Sequence, residues 1–292
     1  MTGASRGIGA AIAKRFACEG AVVAVAARSL DHSAQGSVPG TLQGTVSDIE
    51  AASGRAHAYQ VDLTSSESRA DLVTRVNADL GPVDILVNNA ATSIFAPFTD
   101  ISEKRLRLIT TLNYFAPFDL CQRVIPAMRE HGAGWILNIS SMSGDIPPTP
   151  PPDPIYHLQG TAYGGSKAAL NRLSEGLASE FYEYSIVSNA LAPVKAVLTE
   201  GVQATLSADT VAGEGILEPV EAMAEAALAL CTSDRDGLNG GVHKSLTLLE
   251  HLGRPIRTLD GQRLLEAMPW PTGNSLSQTP SALEMTDGET SQ

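Results

Sequence analysis

The chain has 292 residues, 43% hydrophobic and 18% charged, with 26 Gly and 17 Pro, enough apolar material for a large core and too much for global disorder. Acidic residues outnumber basic ones 32 to 20, and the net charge of −12 argues against nucleic acid or an anionic membrane as the main partner, since phosphates are repelled at long range. Cys18, Cys121 and Cys231 are odd in number and far apart, so neither a disulfide framework nor a zinc site is indicated, and reduced thiols in a cytoplasmic protein are expected.

The chain opens on a glycine turn, Gly3-Ala4-Ser5-Arg6-Gly7-Ile8-Gly9, followed by a helix whose stripe is Ile8, Ile12 and Phe16. Glycines at this spacing allow a tight turn and let backbone approach a pyrophosphate at the positive helix N-terminus. The same residues also fit G-x-S-x-G, the nucleophile elbow of serine hydrolases, with Ser5 as nucleophile. Against that reading, Arg6 has no triad role, and His243 and His251 have no distinctive context. Lys14, Arg15 and the apolar run Ala21–Ala27 imitate a signal peptide, but Glu19 and Gly20 interrupt it and cleavage would remove the turn. The longest apolar helix segment, Ala222–Cys231, is about half a membrane span. A soluble intracellular protein is expected.

Strands are expected at Ala21–Ala27, Ala56–Val61, Val83–Val87, Trp135–Ile139, Ile186–Ala190 and Val242–Leu249. Between them, Leu72, Val73 and Val76, then Leu106, Ile109 and Leu112, form helical stripes. Continuously apolar strands alternating with helices predict a doubly wound α/β domain on a parallel sheet, and about six strands are too few for a closed barrel. Three stretches stand outside the pattern: the polar segment 29–44, the proline-rich segment 147–154, and the polar region after Pro269. Residues 1–268 therefore read as one domain, and 269–292 as a disordered tail.

Five motifs follow one another in register: Thr2-Gly3 to Gly9, Asp62-Leu63 after one strand, Asn88-Asn89-Ala90 after the next, Ser140-Ser141, and Tyr163-Gly164-Gly165-Ser166-Lys167. Together they resemble the short-chain dehydrogenase/reductase family. Pro39-Gly40-Thr41 and Asn189-Ala190-Leu191-Ala192-Pro193 resemble its hydroxysteroid-dehydrogenase-like branch, and the likeness covers roughly residues 1–250. It implies a Rossmann-type fold and a nicotinamide cofactor held by Gly3, Ser5, Arg6, Gly7, Ile8, Gly9, Arg28, Asp62, Leu63, Asn89, Ala90, Tyr163 and Lys167. It also implies that Asn113 holds a water beside Lys167, that the substrate is an apolar ketone, aldehyde or alcohol, and that the protein is a homo-oligomer, a dimer or tetramer. The family often associates through the Tyr163 helix, whose other face carries Leu170, Leu173 and Leu177, residues that fit ordinary core equally well.

The chemistry of the tetrad also follows from residue types. Tyr163 and Lys167 are four apart and share a helix face. An ammonium beside a phenol favours the phenolate, so Tyr163 can exchange a proton with a carbonyl or alcohol oxygen while Ser141 hydrogen-bonds that oxygen. Tyr156 lacks the lysine, because position 160 is Gly. At the end of the next strand, where NAD users of this architecture carry an acid, stand Ala27 and Arg28. With Arg6 nearby, two guanidinium groups and no carboxylate suit a 2′-phosphate, hence NADP(H) with NAD possible.

Four features depart from the family pattern. No apolar strand precedes Thr2, so the first, central strand is missing and its neighbours are expected to lack partners. Ala91 stands where glycine usually closes the Asn-Asn-Ala motif. Val194 follows Pro193 where glycine is common, with Thr199 one place late. Ser141 and Tyr163 are 22 positions apart, a longer gap than usual, and the insertion with His157 is expected to shape the substrate mouth. A catalytically silent nucleotide-binding protein is the other reading these departures leave open.

Overall fold

The structure, a computed structural model, describes residues 1–31, 39–145, 160–197, 199–200 and 217–265. Strand and helix alternate as the apolar pattern predicts. After α1 (Gly7–Cys18) come β1 (Val22–Ala27), α2 (Leu42–Ala51), β2 (Arg55–Gln60), α3 (Ser66–Leu80) and β3 (Ile85–Asn88). The second half holds α4 (Glu103–Thr110), a π-helical turn at Thr111–Phe115, α5 (Ala116–His131), β4 (Gly134–Ile139), α6 (Thr161–Glu180) and β5 (Ile186–Ala192). Two short strands, β6 (Ala196–Val197) and β7 (Leu217–Glu218), precede α7 (Val220–Leu230), β8 (Val242–Lys244) and α8 (Ser245–His251).

All pairings between these strands are parallel. β1 pairs with β2, β3 to β5 run in order and end on β8, and β6 pairs with β7. Met1 and Thr2 join the two halves: Thr2 N donates to Val87 O at 3.0 Å, and Ala26 N donates to Met1 O at 2.9 Å. They hold one end of the position expected for a central strand. Below them an apolar cleft of about 310 Å³ lies between β1 and β3, lined by Val22, Ala24, Leu72, Val76, Ile85 and Leu120 among others. Burial pushes the Met1 ammonium, which donates to Ala24 O, down to about 6. The doubly wound sheet is thus complete on its β3–β8 side and thinly joined to β1–β2.

The helices cover both faces, most burying one stripe, while α7 is buried at every position from 222 to 230. Ile12 and Phe16 of α1 pack with α7 in one core layer; Leu72, Val73 and Val76 of α3 pack with Leu120, Val124 and Met128 of α5 in the other. Caps fix the starts: the Ser65 hydroxyl accepts from Ser68 N before α3, and Thr41 accepts from Gly44 N before α2.

Three expectations are corrected. The run Val242–Leu249 divides into β8 and α8, because Leu246 and Leu249 lie three apart and bury on one side of a turn rather than alternating. In α4 only Ile109 of the expected stripe is buried; Leu106 is exposed, and Leu112 belongs to the π turn. Of the two readings of the α6 leucines, the contact face gives way to the core: Leu170 and Leu177 are buried, and Leu173 packs against the cluster that contains Leu177. The proline-rich segment 147–154 with Tyr156 and His157, and the tail 269–292, lie outside the described residues.

Candidate active site

The glycine turn is built by close packing. Gly3 has φ +65°, a left-handed conformation that an L side chain rarely adopts, and a Cβ there would lie 2.8 Å from the Ala90 Cα. Behind the turn, Asn89 Nδ2 donates to the carbonyls of Thr2 and Gly3, and the Thr2 hydroxyl accepts from the N–H groups of Asn89 and Ala90. Asn89 therefore shapes the turn from behind. In front lies a cavity of about 320 Å³ lined by Gly3, Ser5, Arg6, Arg28, Leu63, Asn89 and Ala90, seven of the expected cofactor residues. Gly7, Ile8 and Gly9 begin α1 directly beyond it.

The cavity's charge is positive where its floor ends. Arg6 Nη2 donates to Gly40 O, and its buried Nε has no hydrogen-bond partner. Exposed Arg28 follows β1. Asp62 lies just outside the lining: its carboxylate accepts from the N–H and hydroxyl of Thr64, which, with Arg28 nearby, hold it below the usual carboxylate range. These residues fit a dinucleotide: a glycine turn with no room for a Cβ at Gly3 or Gly9, an orphaned guanidinium N–H, and no acid where β1 ends. One carboxylate does enter. Glu200 Oε2 accepts from Gly7 N at 3.0 Å, at the first N–H of α1, where an anionic ligand would compete with it.

The second cluster sits where β4 and β5 end. Gly164 lets α6 touch the turn at Met142–Gly144, since a Cβ there would lie 2.4 Å from Ser143 O. That contact brings Tyr163 of α6 to Ser141, whose side chain hydrogen-bonds the phenol. Phe95 stands edge-on to the Tyr163 ring at 5.6 Å between centroids. Lys167, 3% exposed, donates from Nζ to Ile139 O at 2.7 Å and lies 5.8 Å from the Tyr163 ring centre. Asn113 is fully buried in the π turn: Oδ1 accepts from Thr92 N, and Nδ2 donates to Thr92 O and Ser166 Oγ. Its amide clasps the segment after Ala91 to α6. π turns of this kind recur at functional sites.

Burial is the leading influence on the titration of Tyr163 and Lys167. Burial pushes the Tyr163 phenol up, with the Ser141 hydrogen bond partly opposing it. Burial lowers the Lys167 ammonium to about 8. Lys167 is bonded to Ile139 O, and desolvation is the leading cause of both shifts. His243 Nε2 faces Asn189 Oδ1 at 3.2 Å on β5, a partner other than the Ser5 hydroxyl that the hydrolase reading requires. Residue types alone did not single out Glu200, or the buried Glu218 that bonds the Val194 and Lys195 N–H groups. Both act through backbone contacts remote in sequence.

A family model of short-chain dehydrogenases matches residues 1–209. The chain is 34% identical over 207 residues to 7alpha-hydroxysteroid dehydrogenase of Escherichia coli K12, covering 71% of this chain and 73% of that protein. It is 36% identical over 196 residues to a short chain dehydrogenase of Pseudocercospora fijiensis, 66% of this chain, and 30% identical over 289 residues to hydroxysteroid dehydrogenase-like protein 2 of Xenopus tropicalis, 97% of this chain. It spans 57% and 64% of the lengths of these last two. Among solved structures, a metagenomic short-chain oxidoreductase in complex with NADP superposes with TM-score 0.66 at 28% identity, over 83% of this chain and 94% of that one. A 7 alpha-hydroxysteroid dehydrogenase complexed with NADH and 7-oxo glycochenodeoxycholic acid superposes with TM-score 0.71 at 31% identity, over 83% and 90%. The fold, the ordered motifs and these matches define a dinucleotide-type α/β protein. The chain belongs to the short-chain dehydrogenase family.

Proposed function

We propose that the protein is an oxidoreductase that transfers hydride between NADP(H) and a carbonyl or secondary alcohol, the substrate being an apolar ketone, aldehyde or alcohol. The observation that carries this is the juxtaposition of half-buried Tyr163 and Ser141 with buried Lys167 at the end of the sheet that also bears the glycine cradle. Gly3, Ser5, Gly7, Ile8, Gly9, Leu63, Asn89 and Ala90 hold the nucleotide, with Asp62 at the outer edge. Arg6 and Arg28 take the 2′-phosphate as paired guanidinium donors; with no acid there, the balance favours NADP(H) over NAD(H). The bound nicotinamide supplies or accepts the hydride.

The chain's own groups handle the proton. Tyr163, kept protonated by burial, gives its proton to the substrate oxygen, and Ser141 donates a hydrogen bond to the same oxygen. Lys167 supplies a nearby positive charge as the phenolate forms, and Asn113 fixes the π turn against α6. Phe95, edge-on to Tyr163, supports an apolar substrate.

A cytoplasmic location is supported by three free cysteines, two of them buried. No described helix is long and apolar enough to cross a membrane. A homo-oligomer is supported by the exposed apolar residues Phe98, Leu106, Phe115 and Phe118. A panel of apolar ketones and aldehydes with NADPH tests the reading: wild type should consume reduced nicotinamide, and Tyr163→Phe should lose about two to four orders of magnitude in kcat while still binding nucleotide. Turnover by Tyr163→Phe at the wild-type rate would overturn it.

A further inference from the structure

Glu218 is 1% exposed, sits in β7, and takes no part in the tetrad. Its Oε2 accepts from two consecutive backbone N–H groups, Val194 at 2.9 Å and Lys195 at 3.2 Å, while Oε1 accepts from the Ser245 hydroxyl at 2.7 Å. Burying a carboxylate is costly unless its oxygens are bonded, and here the bonds converge on one short stretch of main chain. That stretch is where the chain leaves β5, whose Leu191 carbonyl accepts from Ser140 N beside Ser141. A few residues on, Glu200 Oε2 reaches Gly7 N, and a methyl group on Gly7 would lie 3.4 Å from Thr199 Cβ. The backbone that Glu218 grips therefore leads from the Tyr163–Ser141 cluster to the glycine turn.

We propose that Glu218 is a positioning residue for nucleotide binding: it fixes the direction in which Val194 and Lys195 leave β5, so that the following chain borders the cleft from the catalytic cluster to α1. The proposal rests on the reading of that cleft as the nucleotide site. Glutamine can keep all three contacts, with its carbonyl oxygen toward Val194 and Lys195 and its amide toward the Ser245 oxygen, whereas alanine keeps none.

The test compares Glu218→Ala, Glu218→Gln and Ser245→Ala, the last removing the contact on the other carboxylate oxygen but leaving the backbone grip. Glu218→Ala should raise Kd and KM for NADPH roughly tenfold to a hundredfold with a smaller change in kcat, as expected for losing hydrogen bonds to a charged group. Glu218→Gln should stay near wild type, and Ser245→Ala should lower the melting temperature without changing Kd. Equal nucleotide affinity in Glu218→Ala and wild type, or an equal loss in Ser245→Ala, would reduce Glu218 to a structural residue. Should Glu218→Ala not fold, Glu218→Asp, one methylene shorter, serves as the loss variant. If wild type binds neither NADPH nor NADH, the reading of the cleft fails separately. Hydrogen exchange at the Val194 and Lys195 amides of the nucleotide-free protein then decides: faster exchange in Glu218→Ala but not in Ser245→Ala supports the grip, and equal exchange refutes it.

Discussion

Lys167 carries the clearest consequence at the level of single residues, because its ammonium is taken out of water to bond one carbonyl, Ile139 O. Its folded-state pKa of about 8 lies below the ordinary value of 10.5. The unfolded chain therefore binds more protons between those two values, so this group penalises folding fully below pH 8 and the penalty is relieved as pH rises toward 10.5. Wild type should accordingly gain stability relative to Lys167→Met between pH 8 and 10, by up to about 3 kcal/mol in urea melts. A difference that stays flat over that window would show the amine to be solvated. The presence of Tyr163, Lys167 and Ser141 was legible from spacing, since four positions on a helix share a face. The direction of their pKa shifts was not, because it depends on burial by residues distant in sequence. The side-chain partners of Asn113 were hidden for the same reason: Thr92 and Ser166 meet it only in the fold.

Elements are placed by where they can approach one another. α6 comes against the Ser141 turn because Gly164 has no Cβ to strike Ser143 O, so the distance between phenol and serine is set by helix–turn packing. Gly164→Ala should push the first turn of α6 away, lowering kcat by at least about tenfold and stability by about 1–3 kcal/mol, with nucleotide Kd nearly unchanged. Unaltered kcat would show that the turn yields without disturbing Tyr163. Most strands were readable as apolar runs within one or two residues. β2 is the exception in pattern: it sits at the sheet edge, and its exposed Arg55, His57 and Gln60 alternate with buried Ala56 and Tyr59. The division of 242–249 was not readable, because a short leucine-rich run fits strand and helix equally until its packing partner is known. That partner is α7, which lies with Leu246 and Leu249 in one core layer.

Across the whole molecule, exposed apolar area is concentrated. Of the eleven large hydrophobic residues exposed among the described residues, six fall between 95 and 118: Phe95, Phe98, Leu106, Leu108, Phe115 and Phe118. Phe98, Leu106 and Phe115 border a groove of about 620 Å³ whose other wall is Thr161, Ala162, Gly165 and Ala169 of α6. A chain of net charge −12 repels its own copies, so a patch of this kind is the feature that would bring two together. The proposed homo-oligomer thus uses the outer side of α4 and α6 in place of the buried leucines. Sedimentation should find wild type associated and Phe115→Glu shifted to monomer with its melt little changed; a monomeric wild type would refute it. Net charge was legible from composition. The patch was not, since Leu106 and Ile109 share a stripe but only Ile109 finds the core.

The central claim is that the cleft before α1 holds a phosphorylated nicotinamide dinucleotide. Calorimetric titration of NADPH and of NADH into the purified chain, repeated with Arg28→Ala, tests it most directly. The account predicts saturable NADPH binding, weaker NADH binding, and a preference that shrinks when Arg28 is removed, since a guanidinium–phosphate pair contributes about 1.5–3 kcal/mol. NADH binding as tightly as NADPH would contradict the assignment of Arg28, and binding of neither would contradict the site.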